Sequence, residues 1–589
     1  MRSKVFYLAS LAIVAGLVAA CSALPEATRV TTPSMAAPGP DPREGLRAGL
    51  RDPGVASWNL RLLSNTPPPP AFQGVTNSDL AFTGRYAIQG NYNGYQVWDI
   101  SDPEQPTLET AYVCPASQSD VSVYRNLLFV SGEGLSGRLD CGTQGVPDTV
   151  SAERLRGIRI FDITDIARPK YIANVQTCRG SHTHTVVNDP KDNDNVYLYV
   201  SGSASVRSPR ELPGCSGLSP RDDPNSALFR IEVIKVPLAA PEQASILSSP
   251  RIFYDLAAPP KHGELSRDTA AAPSPPRERT GPTQCHDITV YPEIGLAGGA
   301  CEGYGLLLDI RDVANPKRIT AVADSNFSYW HSATFSNDGS KVLFTDEWGG
   351  GGAPRCRATD KPEWGANAIF TRTGSELTFA SYYKLPAVQT SFENCVAHNG
   401  SPIPIPGRDV MVQAWYQGGI SVFDWTDPSR PREIAFFDRG PVDSTRVASG
   451  GSWSAYWYNG HIVSSEISRG LDILELLPNA FISQNEIDAA KTVTFDEFNP
   501  QHQQRPVWPA TFALAHAYLD QLARSGGLVQ DRVAEIRKEL ARAEMLSHER
   551  RAVLTQLAAQ VSNDAKSARD AAKVQLLAEA VRALADTQS

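Results

Sequence analysis

Several signatures of familiar chemistry are missing from this chain of 589 residues. No strongly basic stretch interrupts a sequence whose net charge is −9, which argues against nucleic acid as a main partner. Gly349–Gly352 lacks the Lys-Ser/Thr and the strand–helix setting of a phosphate-binding P-loop, and reads as a flexible turn. No Gly-x-Ser-x-Gly elbow supports a nucleophile at Ser181 or Ser332. No cysteine spacing matches a zinc knuckle. Glycine becomes rare after Gly527, where the pattern turns helical.

What is present is a phrase that returns. It reads Val-Trp-Asp-Ile-Ser-Asp-Pro over 97–103 and Ile-Phe-Asp-Ile-Thr-Asp-Ile over 160–166. It comes back as Leu-Leu-Asp-Ile-Arg-Asp-Val over 307–313 and Val-Phe-Asp-Trp-Thr-Asp-Pro over 422–428. Each copy is an apolar strand stopped by an Asp-x-x-Asp turn. Aligning on the strands before each phrase gives seven units of four strands, with first strands starting near Leu80, Val121, Thr185, Ile288, Ala333, Gly400 and Ala455. This predicts a mainly β fold, a seven-bladed β-propeller over 57–478. Degraded copies stand at Leu228–Ile234 and Leu471–Leu476. Where the last unit lacks a fourth strand, Trp58–Leu63 is expected to supply it and close the ring. Long insertions fall at 132–156, 205–225, 259–282 and 348–364. Over 479–589 apolar residues such as Leu514, Ala517, Tyr518, Leu522, Val533, Ile536 and Leu540 recur at helical spacing, which predicts a small C-terminal helical bundle.

The Asp phrases, the prolines after them and strands such as Asn126–Ser131 resemble the bacterial LVIVD-repeat family across roughly 58–478. The stretches Ile482–Lys491, Asn499–Gln501 and Val507–Ala510 are similar to the helical tail of some members. The resemblance implies an exported β-propeller. It implies no particular reaction, because fold alone does not carry function.

Export is also legible directly. Arg2 and Lys4 precede an apolar run from Val5 to Ala19, and Val18-Ala19-Ala20-Cys21 resembles a lipobox. Residues 1–21 are therefore expected to be a lipoprotein signal. Cys21 would become the acylated anchor, and 22–56 a flexible tether to the membrane. Ser22 after the cysteine favours the outer membrane, on its periplasmic face or at the cell surface. Eight further cysteines remain: Cys114, Cys141, Cys178, Cys215, Cys285, Cys301, Cys356 and Cys395. An even number in an exported chain reads as disulfides, with sequential neighbours the favoured pairing and Cys285 with Cys301 the best-placed pair.

The register of the repeats sorts the ten histidines. His286, His331 and His398 fall at one position just before three successive first strands, with His184 or its alternative His182 in the unit before. First strands line a propeller's channel, so these imidazoles should gather at one mouth. Carboxylates recur at the end of the neighbouring strand, at Glu133, Glu302, Glu347 and Glu466. Neutral imidazole and carboxylate together ligate transition metals. The predicted site is thus His184, His286, His331 and His398 with Glu302 and Glu347, holding Zn, Cu, Mn or Fe in a metalloenzyme of unknown reaction. The alternative is a non-enzymatic cell-surface scaffold that recruits a protein or glycan, its histidines structural. His262, His461, His502, His516 and His548 lie outside the register and read as surface or packing residues.

Overall fold

Each Asp phrase stops a strand by a simple device. The Asp99 carboxylate accepts the backbone N–H of Ser101 at 3.0 Å and its hydroxyl at 2.6 Å. Asp162 treats Thr164 in the same way, at 2.8 and 2.6 Å. Asp424 does so with Thr426 at 2.9 and 2.6 Å, and Asp309 accepts the Arg311 N–H at 3.0 Å. An Asp that caps its own turn offers the backbone a partner other than the next strand, so the ladder ends there.

A computed structural model describes residues 38–260 and 282–587. Cys21, the signal stretch and most of the 259–282 insertion lie outside them. The strands form seven antiparallel four-stranded blades, two of them joined by a short parallel bridge between Asn399–Gly400 and Ser454–Ala455. The first strands are Asn77–Thr83, Val121–Tyr124, Thr183–Asp189, Ile288–Tyr291, Trp330–Phe335, Asn399–Ile403 and Ser452–Tyr458. Consecutive first strands touch, and the seventh touches the first, so the ring is closed. Leu60–Thr66 pairs with Gly470–Leu476 as the outer strand of the seventh blade, and this locks the two ends of the propeller together. Apolar side chains alternate into the spaces between blades, as with Val187, Tyr199, Val233, Leu306 and Leu308 between the third and fourth.

Three expectations need correcting. Residues 43–56, expected as part of the flexible tether, pack on the sixth blade instead. Buried Arg43 donates to both Glu433 carboxylate oxygens at 2.9 and 2.8 Å, and Val55–Trp58 adds an edge strand against Arg432–Arg439. The third strand of the third blade is Glu232–Pro237 rather than Leu228–Ile234. Phe229 has positive φ there, and Ile231 turns toward the Pro250 carbonyl before the ladder begins. Finally, the tail is more than a helical appendage. After helix α1 (Gln484–Lys491), capped by Ser483 and Glu486, residues 495–504 run across the far end of the channel. Glu497–Phe498 pairs with the first blade, Asn499 with Val123, His502 with the Val186 carbonyl, and Gln503 with Phe335. The chain then enters helices α2 (Phe512–Ser525), α3 (Gln530–Met545), α4 (Arg550–Asp564) and α5 (Ala571–Asp586), which share one apolar core.

Candidate metal centre at the mouth of the channel

Four imidazoles from four consecutive blades stand in a row at the mouth opposite the tail. Ring centres are separated by 4.6 Å from His182 to His286, 3.9 Å from His286 to His331, and 4.3 Å from His331 to His398. Register explains the row. Each histidine immediately precedes or opens a first strand, and seven-fold repetition brings equivalent positions to one height. All four line a cavity of about 420 Å³, whose wall also includes Glu347 and Tyr329.

Three of the four rings are oriented by a bond at Nδ1. His182 donates to Glu133 at 2.5 Å, His286 to Asp287 at 2.9 Å, and His398 to the carbonyl of Trp453. A carbonyl can only accept, so His398 carries its proton on Nδ1 and its Nε2 presents a lone pair. Metal-binding imidazoles are commonly held by such a bond. His398 Nε2 and His331 Nε2 each lie 3.8 Å from a Glu347 oxygen. That carboxylate already accepts from the Tyr416 hydroxyl at 2.6 Å. Two ligand sets have their donors within 4.8 Å of one another: His331, Glu347 and His398, and His286, Asp287 and His331.

Electrostatics agree with a set of neutral imidazoles. Burial drives His398 down to about 3, and burial with the neighbouring His286 and His398 rings holds His331 well below its ordinary value. Burial raises Glu347 against the opposing pull of His286 and the Tyr416 bond. At the other end of the row burial opposes charging of His182, but Glu133 wins and its pKa is raised. Glu133 is itself depressed to about 2 by the His182 charge and bond, against its own burial.

Several expected residues sit elsewhere. His184 is not in the row: its ring turns to the opposite side of the strand from His182, with Nδ1 2.8 Å from Ser131 Oγ and 3.5 Å from Asp120. Strand alternation alone would put residues two apart on one face; the two differ because His182 lies in the turn before the ladder, which begins at Thr183 and pairs His184 with Val200. His182, the alternative, takes the place at the mouth. Glu302 accepts the Thr283 N–H at 2.7 Å and belongs to neither ligand set among the described residues. Glu466 is occupied by Arg469 at 2.8 Å and by the Gly451 N–H at 3.0 Å. Asp287 and Tyr416 were not anticipated. Asp287 could have been, from its place beside His286; nothing in the sequence marks Tyr416. The glycine turn does more than flex, because a Cβ on Gly351 would come within 2.4 Å of the Tyr416 hydroxyl oxygen. His262 lies outside the described residues.

The cysteines form four disulfides between sequential neighbours: 114–141, 178–215, 285–301 and 356–395. Three of them fasten the turns just before His182, His286 and His398. Four disulfides mark a chain that folds outside the reducing cytoplasm.

No protein-family model matches the chain, and no curated protein does. Similar solved structures are β-propellers. The periplasmic gluconolactonase of Pseudomonas aeruginosa is 12% identical with a TM-score of 0.40, over 68% of this chain and 99% of that one. A putative 6-phosphogluconolactonase of Bacteroides fragilis is 9% identical with a TM-score of 0.38, over 68% and 89%. The Cps50 (Swd1) propeller domain of Myceliophteria thermophila is 9% identical with a TM-score of 0.36, over 68% and 99%. At similarities this low they carry no argument about chemistry, and the propeller rests on the strand pairing itself.

Proposed function

We propose that this chain is an exported, lipid-anchored β-propeller of the LVIVD-repeat kind that binds a transition-metal ion through His331, His398 and Glu347, and works as a metalloenzyme on a small polar substrate. One observation carries the reading. His398 is fixed with its lone pair toward Glu347, and 3.8 Å separates two groups that both accept and neither donates. A lone pair facing a carboxylate is unfavourable, and a cation between them relieves it. A shared proton would draw the atoms to about 2.7 Å. A metal with bonds of about 2.0–2.2 Å holds two donors about 3.4 Å apart at a tetrahedral angle, and wider as that angle opens.

Three protein donors leave a coordination position on the cavity side, the arrangement of a catalytic rather than a structural ion. When bound, the ion would supply Lewis acidity or an activated water. The residues of the chain would do the rest: Tyr416 orients Glu347, Trp453 fixes His398, and the cavity wall admits a polar molecule. The lipobox-like Val18–Cys21 stretch supports attachment at Cys21, and Ser22 supports the outer membrane, while the disulfides support export. The test is metal analysis of protein purified without added metal, with melting temperatures in Zn, Cu, Mn and Fe. Bound metal and a raised melting temperature are expected. A metal-free protein whose melting ignores all four ions overturns the reading.

A further inference from the structure

The geometry points to two ions at this mouth, bridged by the imidazole of His331, with the second held by His286 and Asp287. This rests on the metal reading above and extends it. The two ligand sets overlap at His331 alone. One nitrogen serves one ion, so if both sets are filled His331 must give a different nitrogen to each. Its Nε2 is the one 3.8 Å from Glu347. Its Nδ1 is buried and has no hydrogen-bond partner. Of the four rings in the row, the other three have Nδ1 engaged by a carboxylate or a carbonyl. Buried polar atoms are nearly always satisfied, and an orphan imidazole nitrogen between two ligand sets is what a second ion would satisfy.

Charge favours the same place. Asp287 is wholly buried on the channel side of the row, and Asp79 and Asp120 from the first two blades are near enough to repel it and each other. Asp79 is partly compensated by bonds from the Tyr456 hydroxyl at 2.6 Å and Asn399 at 2.9 Å, whereas Asp120 Oδ1 has no partner. A cation on Asp287 would sit beside buried carboxyl groups whose burial and mutual repulsion otherwise oppose ionisation. A tandem site also explains a row. One ion gathers its ligands around a point, while successive ring spacings of 3.9 and 4.3 Å along His286, His331 and His398 give a line with a shared middle member. Filling both sites costs His331 its remaining ring proton, which passes to solvent as the imidazolate forms.

The experiment uses the full, disulfide-bonded chain, stripped with chelator, dialysed against excess Cu²⁺ and desalted. Copper per chain is counted by mass spectrometry and unpaired spins by electron paramagnetic resonance. Two coppers per chain are expected, with a spin count well below the copper count because the bridge couples the pair. Asp287→Asn should drop the content to one copper and restore one full spin. One copper per wild-type chain overturns the two-ion proposal and leaves the proposed function standing. Two coppers with two full spins overturns the bridge. No copper overturns the two-ion proposal, and the proposed function falls with it when Zn, Mn and Fe likewise fail to bind.

Discussion

Asn499 pairs with Val123 as a strand would: its carboxamide oxygen accepts the Val123 N–H at 2.7 Å and its amide nitrogen donates to the Val123 carbonyl at 2.8 Å. Gln503 repeats the pattern on Phe335, at 2.9 Å for both bonds. Two side chains of the tail thus satisfy backbone groups that the propeller's inner strands leave unpaired at the far mouth.

Asn499→Ala or Gln503→Ala would orphan a buried N–H and a buried C=O together. Each substitution should cost about 1–3 kcal/mol, read from denaturant unfolding, with the double variant close to additive because the two sites contact different blades. Wild-type stability in both would show that the tail merely rests on the channel.

The two histidines around Thr183 should separate cleanly. His184→Ala removes a ring held at about 3 by burial and bonded to Ser131. Stability should fall by about 1–3 kcal/mol with metal content unchanged. His398→Ala should abolish binding at the Glu347 set. Loss of metal in His184→Ala, in protein that remains folded, would restore the ligand role read from the sequence.

Tyr416 donates to Glu347 at 2.6 Å. Tyr416→Phe keeps the ring and removes the bond that orients the carboxylate, so metal affinity should fall about 10–100-fold. Competition against a chelator measures this, and an unchanged affinity would reduce Tyr416 to a wall of the cavity.

Stability should depend on pH through Asp438. Burial, with Glu393 adding to it, pushes this carboxyl up to about 8. A carboxyl raised on folding contributes stability that is present below its unfolded pKa, near 3.8, and is lost as pH rises through the folded value. The chain should therefore weaken between about pH 4 and pH 8 from this group. Asp438→Asn should flatten that slope and stabilise at pH 8 by on the order of a few kcal/mol. Asparagine can still accept the Arg439 N–H, bonded at 2.7 Å, and can donate to Gln389 once that carboxamide flips, since its Nε2 now donates to Asp438 at 3.1 Å while its Oε1 has no partner. An identical pH profile for the two proteins would mean that Asp438 is ionised in the fold.

The propeller was legible because its information is local and repeated. An Asp that caps its own turn does so within a few residues, and copies of that turn fix the register of the blades. The same register separated His286, His331 and His398 from seven other histidines. It did not separate His182 from His184, since residues two apart share a strand face and only the turn before Thr183 sets them apart. Nor could it tell that Glu347 faces two imidazoles while Glu302, equally aligned, is taken by the Thr283 N–H.

The sequence by itself determined the repeat, the closing strand and the height at which the histidines gather, because strand periodicity and turn chemistry are properties of neighbours along the chain. Only the tertiary structure decided which nitrogen of each ring is free, that Tyr416 bonds Glu347, and that Asn499 and Gln503 close the other end of the channel. Those facts depend on contacts between blades and across hundreds of residues. No local pattern records them.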